Sequence, residues 1–308
     1  MSGLDTYTQL RQKEDVQDEI YNISPIDNPI ASMSRTIRAS GKIHEWTEDS
    51  LNAAASNALV EGAAAGSDTS NAVVERQNYC QIMGKVAEVT GIMEEVDKYG
   101  RDSEMAYQLE LRYGELANDE ELAIAGAPGG TRQTAVPGDS VTARKFASIY
   151  SQIAAANTVT SITATKAGLE AEILAAHLAT YNAGANPTYA FTDPVTAGAF
   201  ATFATQTGRN RDINNKTLIH VIDLYVSTYG ELDVVLDRQM GVQAANDRAV
   251  LLLDFNFLAT PVLRATRDWA IAKVGDSDKR QILRESTFAV LNQSAHGLVT
   301  SIADALTP

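Results

Sequence analysis

One stretch of the chain repeats apolar residues at helical spacing. Met105, Leu109, Tyr113 and Leu116 stand four, four and three residues apart and form a single stripe. The pattern predicts a helix from about Lys98 to Ala125, roughly 40 Å long at ~1.5 Å per residue. GAPGG at 126–130 stops it, and a Gly/Pro/Thr linker runs to Asp139. Upstream, AVVERQNYCQIMGKVAEVTGIMEEVD (72–97) alternates β-branched or apolar with polar residues and predicts strands. Downstream, 166–182 predicts a helix with Leu169, Ile173, His177 and Tyr181 on one face. Asp193-Pro194 reads as a helix start, Asp as N-cap and Pro at the first helical position. That helix carries Phe200 and Phe203 and ends by Gly208. Residues 217–240 read as two strands around Gly230-Glu231, joined by a tight turn. The remainder predicts a strand at VLLLDFNFL, a loop or helix around Trp269, a turn at GDSDK and a final apolar stretch. Taken together the elements are α+β.

The two ends of this pattern differ from its middle. Residues 1–40 mix charge with Pro25 and Pro29 and a few spaced apolar residues, which predicts a short helix over 13–21 and then extended or turned chain through SPIDNP. This is an arm rather than a core. Residues 42–66, KIHEWTEDSLNAAASNALVEGAAAG, open as a polar strand and dissolve into alanine. Two local readings stand: strand plus loop, or a short helix capped by Asp49 or Ser50 and running through Ala58. Glycines 41, 62, 66, 84 and 91 are read as bending points.

Composition narrows the function classes. The chain has 308 residues, 44% hydrophobic and 21% charged, enough for one large domain or two lobes with real cores. Its net charge of −14 disfavours binding to a phosphate backbone by the chain as a whole, and suits a surface that lies near DNA without adhering. The single cysteine, Cys80, excludes an intrachain disulfide and a thiolate zinc cluster. The N-terminus has no secretory apolar core, and the longest apolar region, 250–263, is interrupted by Asp254 and Asn256 and too short for a bilayer. A cytoplasmic, reducing location is the expectation, with no membrane.

Catalytic motifs are missing. There is no HExxH, GxSxG, GxxxxGK[ST] or GxGxxG, and GAAAGSDT at 62–69 lacks the phosphate-meeting lysine. His177 and His220 read as packed or edge residues. The run Asp119-Glu120-Glu121 reads as a solvated helix face, since neighbouring helical residues diverge. EWTED at 45–49 could hold a divalent cation weakly through its oxygens, although carboxylates in water are the simpler reading. No catalytic residue, cofactor or metal is expected.

Several strings resemble the major capsid proteins of tailed bacteriophages. They are ISPIDNPIAS (23–32), KIHEWTEDSL (42–51) with EGA (61–63), DKYGRDSEMAYQLELRYGEL (97–116), YGELDVVLDRQM (229–240), LLLDF (251–255) and AKVGDSDKRQILRESTFAVLNQSAHG (272–297). They occur in the family's order and leave 131–165 and the alanine tract outside. The resemblance implies the tailed-phage major capsid fold: an N-terminal arm (1–40), an E-loop (41–90), a peripheral domain with a long spine helix (91–140), an axial domain (141–250) and a return to the peripheral domain (251–308). It implies a shell subunit that assembles with itself through hexamers and pentamers around double-stranded DNA. A separate scaffolding protein, a portal and a decoration protein are the other partners it implies. The alternatives are a cellular nanocompartment shell of the same fold and a soluble α/β enzyme.

Charge adds a docking hypothesis. Residues 42–75 carry one cation and six anions, net −5, and residues 264–284 carry six cations and three anions, net +3. The expected interface pairs His44, Glu45, Trp46, Glu48, Asp49 and Glu61 of one subunit with Arg264, Arg267, Arg280 and Arg284 of a neighbour, the charges setting register.

Overall fold

The computed structural model describes residues 28–306, apart from 53, 65, 67–69, 99, 163–164, 207–223, 242–246 and 305. The helix expected over 13–21, the turn through SPIDNP up to residue 27, His220 and the first part of the 217–240 segment lie outside the described residues.

In chain order the elements are α1 (Pro29–Met33), β1 (Arg35–Arg38), β2 (Ile43–Glu48), β3 (Val74–Tyr79), β4 (Gln81–Thr90), α2 (Gly91–Glu95) and α3 (Glu104–Ala125). Then come α4 (Ile149–Gln152), β5 (Thr158–Thr160), α5 (Lys166–Asn182), β6 (Tyr189–Thr192), α6 (Pro194–Gln206), β7 (Leu224–Val226) and β8 (Glu231–Leu236). The chain finishes with β9 (Arg248–Leu253), β10 (Leu258–Ala270), β11 (Ser277–Ser286), β12 (Ala289–Val290) and β13 (Gly297–Ile302).

Three sheets organise these elements. The first runs β1-β10-β11-β4, with β12 also paired to β10. The long helix α3 lies on one of its faces, where Leu109 and Leu116 of the expected stripe meet Met83 and Ile282. Helix α3 starts six residues later than the stripe suggests. Ser103 Oγ accepts from Ala106 N, and the Glu94 carboxylate receives Ser103 Oγ, Glu104 N and Met105 N, so the first-turn amides are satisfied there. At 22 residues the helix is roughly 33 Å long.

The second sheet runs β5-β13-β9-β6-β8-β7. Helices α5 and α6 cover one face, burying Leu169, Ile173, Phe200 and Phe203 against Leu232, Val250, Leu252 and Val299. The other face, with Phe191, Leu251, Leu253 and Leu298, packs on Ile124 at the end of α3, Phe146, Ile149, Leu258, Phe288 and Ile30. That cluster joins both large sheets into one core. Strand β9 is buried on both faces, which is why VLLL reads as an unbroken apolar run. The Asp193 cap is in place, its Oδ2 accepting from Val195 N and Thr196 N.

Two expectations are corrected here, the surroundings of Trp269 and the turn between β7 and β8. Trp269 sits in strand β10, not in a loop or helix. Strands β7 and β8 pair from Val226 to Glu231, so their turn is the four-residue Ser227–Gly230 loop. The segment 251–308 divides: β10, β11 and β12 join the first sheet, while β13 joins the second between β5 and β9. Of the glycines read as bending points only Gly62 has a positive φ, +81°, whereas Gly84 lies within β4 and Gly91 opens α2.

Candidate assembly surfaces

The third sheet is a two-stranded ribbon, β2 with β3, in register from Ile43↔Tyr79 to Glu48↔Val74. Its root is tied into the body by buried polar groups. Asn78 is fully buried; its Oδ1 accepts from Ala147 N at 2.8 Å and its Nδ2 donates to Phe288 O at 2.7 Å. Glu48 Oε1 accepts from Gln293 N at 3.1 Å, while Oε2 faces Arg76 Nε at 3.3 Å. His44 stacks on Trp46 with ring centroids 5.9 Å apart, and burial lowers the proton affinity of His44. Trp46 borders a cavity of about 160 Å³ at the root, shared with Glu48, Arg76, Gln152 and Gln293.

Beyond the root no described part of the body lies beneath the ribbon. Among the described residues, 49–73 contain no helix, and Leu51, Leu59, Val60 and Val73 are all exposed. Leu51 is 98% exposed, so no described residue of its own chain covers it. The strand-plus-loop reading therefore describes this segment, and a helix through Ala58 does not. The sequence-selected residues separate accordingly. Glu45, Asp49 and Glu61 are exposed; Trp46 and Glu48 belong to the root, with His44 half-buried beside them.

The four selected arginines separate too, because residues across a sheet share a face only in register. Three cross-strand rows lie on the face away from α3: Trp269–Gln281–Val86, Arg267–Leu283–Gly84 and Arg264–Glu285–Ile82. Ile82 and Val86 are exposed there, and Arg267 lies 5.9 Å from the Trp269 ring centre. Arg264 and Arg144 clamp Glu285 at 2.7 and 2.6 Å. Arg280 and Arg284 are instead on the α3 face, paired with Asp268 and Glu120. Lys279 meets Glu88 and Lys273 meets Asp278. The net positive charge read from 264–284 is thus largely neutralised within the chain. Arg267 is the selected arginine that has no carboxylate partner among the described residues.

The carboxylate run on α3 is the clearest miss. Glu120 and Glu121 are buried, not solvated. Glu120 accepts from Arg284 Nε at 3.0 Å and Ser286 Oγ at 2.6 Å. Glu121 accepts from the amides of Ile30 and Ala31 at 2.9 and 2.8 Å. A signal existed for Glu120, since the stripe 109, 113, 116 reaches 120 at its next step of four.

The histidines have structural surroundings. His177 Nδ1 lies 3.0 Å from Ser227 Oγ at the β7–β8 turn, and burial lowers its proton affinity. His296 Nδ1 accepts from Asp254 N, and burial pushes its pKa down to about 4. Cys80 is buried against Gly41 O, its thiol pushed up to about 11, chiefly by burial. Glu45 projects from the opposite side of β2 to Glu48, so EWTED does not converge on a cation. Among the described residues no group of three or more His, Cys, Asp or Glu is placed to hold a metal, and no helix is long and apolar enough to cross a membrane.

Two packed sheets, a long helix across one of them and a projecting ribbon define the fold of phage major capsid proteins and encapsulins. A solved chain of Mycobacterium phage Ogopogo has TM-score 0.64 at 12% identity, over 97% of this chain and 99% of that one. The SrpI encapsulin of Synechococcus elongatus has TM-score 0.62 at 9% identity, over 99% and 97%. A solved assembly of phage G gp27 major capsid proteins with gp26 decoration proteins gives TM-score 0.57 at 11% identity, over 96% and 100%. Residues 2–303 match the model of the SU10 major capsid protein family, and the chain belongs to that family. Its members are capsid structural proteins rather than enzymes. The major capsid protein of Escherichia phage Phieco32 is 32% identical over 123 residues, 39% of this chain and 35% of that protein. The match spans about a third of that relative's length.

Proposed function

We propose that this chain is the shell subunit of a phage head, assembling through hexameric and pentameric capsomers around double-stranded DNA. The observation that carries it is the ribbon tip. Residues 49–73 expose Leu51, Leu59, Val60 and Val73 with no cover from the described residues of their own chain, which is unfavourable for a monomer and ordinary for a segment buried by a neighbour. The same chain carries an open sheet face with Ile82, Val86, Trp269 and Arg267, which has no carboxylate partner among the described residues, and to this face an acidic, apolar tip is complementary.

In this reading residues 1–40 are the arm and the ribbon belongs to the E-loop, 41–90. Helix α3 is the spine of the peripheral domain, and the second sheet with α5 and α6 is the axial domain, to which β13 is added. The ribbon and its tip dock on the open face of the next subunit, led by Glu45 of β2 and by Asp49 and Glu61 of the tip, and received around Arg267. A scaffolding protein and a portal act as further partners. A decoration protein is the third, in keeping with the phage G relative solved with its decoration proteins.

Sedimentation velocity and negative-stain microscopy of the purified protein, alone and with its phage's scaffolding protein, test the reading. Rings, sheets or closed shells support it. Only monomers and dimers in both samples would overturn it. The encapsulin likeness makes a cellular compartment the second reading. Shells isolated from infected cells that hold nuclease-protected DNA decide for the phage head, and shells holding a cargo protein decide for the compartment.

A further inference from the structure

The first sheet ends in an open row of main-chain groups. Strand β4 is its edge, ten residues long and paired to β11 on one side without a register shift. Two backbone bonds fix which way its groups point: Gly91 N donates to Asp276 O, and Ile271 N donates to Lys279 O. In an antiparallel ladder successive residues direct their N–H and C=O to opposite sides. Lys279 therefore turns to β10, while Arg280 and Ile282 turn to β4, where they meet Ala87 and Lys85. Stepping back by twos from Gly91 reaches the same Ala87 and Lys85. Ile82, Gly84, Val86 and Glu88 must then direct their main chain outward. All four are exposed, and the exposure of Gly84 is that of the main chain itself. Among the described residues no backbone partner faces this row.

Sheet edges are usually blunted by brevity, charge or proline. Strand β1, the opposite edge of this sheet, has four residues with Arg35 and Arg38 among them, and β5 and β7, the edges of the second sheet, have three each. Strand β4 is long and has no proline, and its two charged side chains are engaged, Lys85 with Asp119 of α3 and Glu88 with Lys279. Ile82 and Val86 leave it apolar on the open face. A matching row runs along the ribbon. Cys80 N donates to Lys42 O, so by the same alternation Glu75 and Gln77 of β3 direct their main chain away from β2. Val73 continues that row into the tip, and all three are exposed.

We propose that β4 is a strand-acceptor edge, to which the outer edge of β3 from a second copy of this chain, Val73 to Gln77, adds as a further strand. The occupant follows from what the two rows share. Each is exposed, each lacks a backbone partner among the described residues, and the ribbon is acidic where the open face beside β4 carries Arg267. With the shell reading as its basis, this pairing makes main-chain hydrogen bonds the hold between subunits, and leaves charge to set their register. Asp49 and Glu61 of the tip stay outside the added strand and can reach over the open face.

Amide exchange at single-residue resolution, on the full chain as unassembled subunit and as shells, tests the pairing. The amides of Gly84, Val86 and Glu88 should exchange freely in the subunit and slow by about tenfold or more in shells. Those of Lys85 and Ala87, directed to β11, should be slow in both. A row already slow in the unassembled subunit would show that the chain covers its own edge, and overturns the proposal. Shells in which the row still exchanges freely overturn it too, while leaving the shell reading intact. If no shell forms, the reading itself fails and the proposal falls with it. Val86→Pro removes one outward N–H and no bond to β11, whereas Val86→Ala trims the side chain and keeps the N–H. Their urea midpoints should stay close, while V86P needs an about tenfold higher concentration to assemble. Equal assembly by the two variants overturns the proposal, and if V86P does not fold the exchange pattern decides.

Discussion

Asn78 and Phe288 stand 210 residues apart, and inside the protein Asn78 Nδ2 donates to Phe288 O at 2.7 Å. The same side chain accepts from Ala147 N, so it ties the ribbon root to two separate segments of the body. Gln152 Nε2 also donates to Phe288 O, at 3.2 Å, but no such reserve acceptor serves the Ala147 amide among the described residues. Asn78→Ala should therefore cost about 1–3 kcal/mol, the range for leaving a buried donor unmet. A urea denaturation series gives the cost, and cleavage within 49–73 should not speed up unless the root loosens.

Charge reversal separates subunit stability from docking. Arg284 is 24% exposed and sits against Glu120, so Arg284→Glu leaves two acids facing each other under α3. Breaking a buried pair costs several kcal/mol, and with this exposure about 2–3 kcal/mol of subunit stability should be lost. Arg267→Glu removes no ion pair and should leave the unfolding midpoint nearly unchanged. It should weaken assembly in a salt-dependent way, read by sedimentation velocity at low and high ionic strength. If Arg267→Glu assembles as well as the unaltered chain at low salt, the open face is not the receptor.

Legibility in the sequence followed how local each cause was. The stripe Leu109–Leu116, the Asp193-Pro194 helix start and the apolar run of β9 were readable because one periodicity or one cap decides each. The start of α3 was not, because its amides are met by Glu94 from the preceding helix as well as by Ser103. Trp269 was misread because its strand is held by a partner, β11, and by bulged register that no local pattern announces. The arginines failed as a group for the same reason. Sequence counts charge, while sheet register decides which face each charge occupies and whether a carboxylate waits there. The ribbon tip was legible in a negative sense, since small and polar residues without periodicity cannot build a core.

Acid should loosen the subunit through its buried histidines. His296 is fully buried, with its pKa lowered to about 4, and His177 is lowered by burial in the same direction. A depressed histidine contributes stability that is present above its ordinary value of 6.5 and is lost as pH falls toward the folded value. Between pH 6.5 and 4 the subunit should lose up to about 1.4 kcal/mol per pH unit from His296. Urea midpoints measured at pH 7 and pH 5 should converge in His296→Gln, whose amide oxygen can still accept from Asp254 N. An unchanged pH slope in that variant would remove His296 from the account.

The tip offers the sharpest contrast between folding and assembly. Leu116 is buried against Met83 and Ile282, so Leu116→Ala should cost about 2–4 kcal/mol by cavity formation. Leu59 and Val60 are 76% and 82% exposed, and replacing both by Ser should move subunit stability by no more than about 0.5 kcal/mol. If a neighbour buries them, the same double change removes apolar area from every subunit contact in a shell. The critical concentration for assembly should then rise by an order of magnitude or more, since ~1.4 kcal/mol is tenfold and each buried aliphatic side chain is worth ~1.5–3 kcal/mol. Light scattering during assembly, paired with urea denaturation of the unassembled subunit, reads both quantities from one preparation. Loss of assembly at unchanged stability assigns the tip to an interface, and unchanged assembly would show that the shell closes without it.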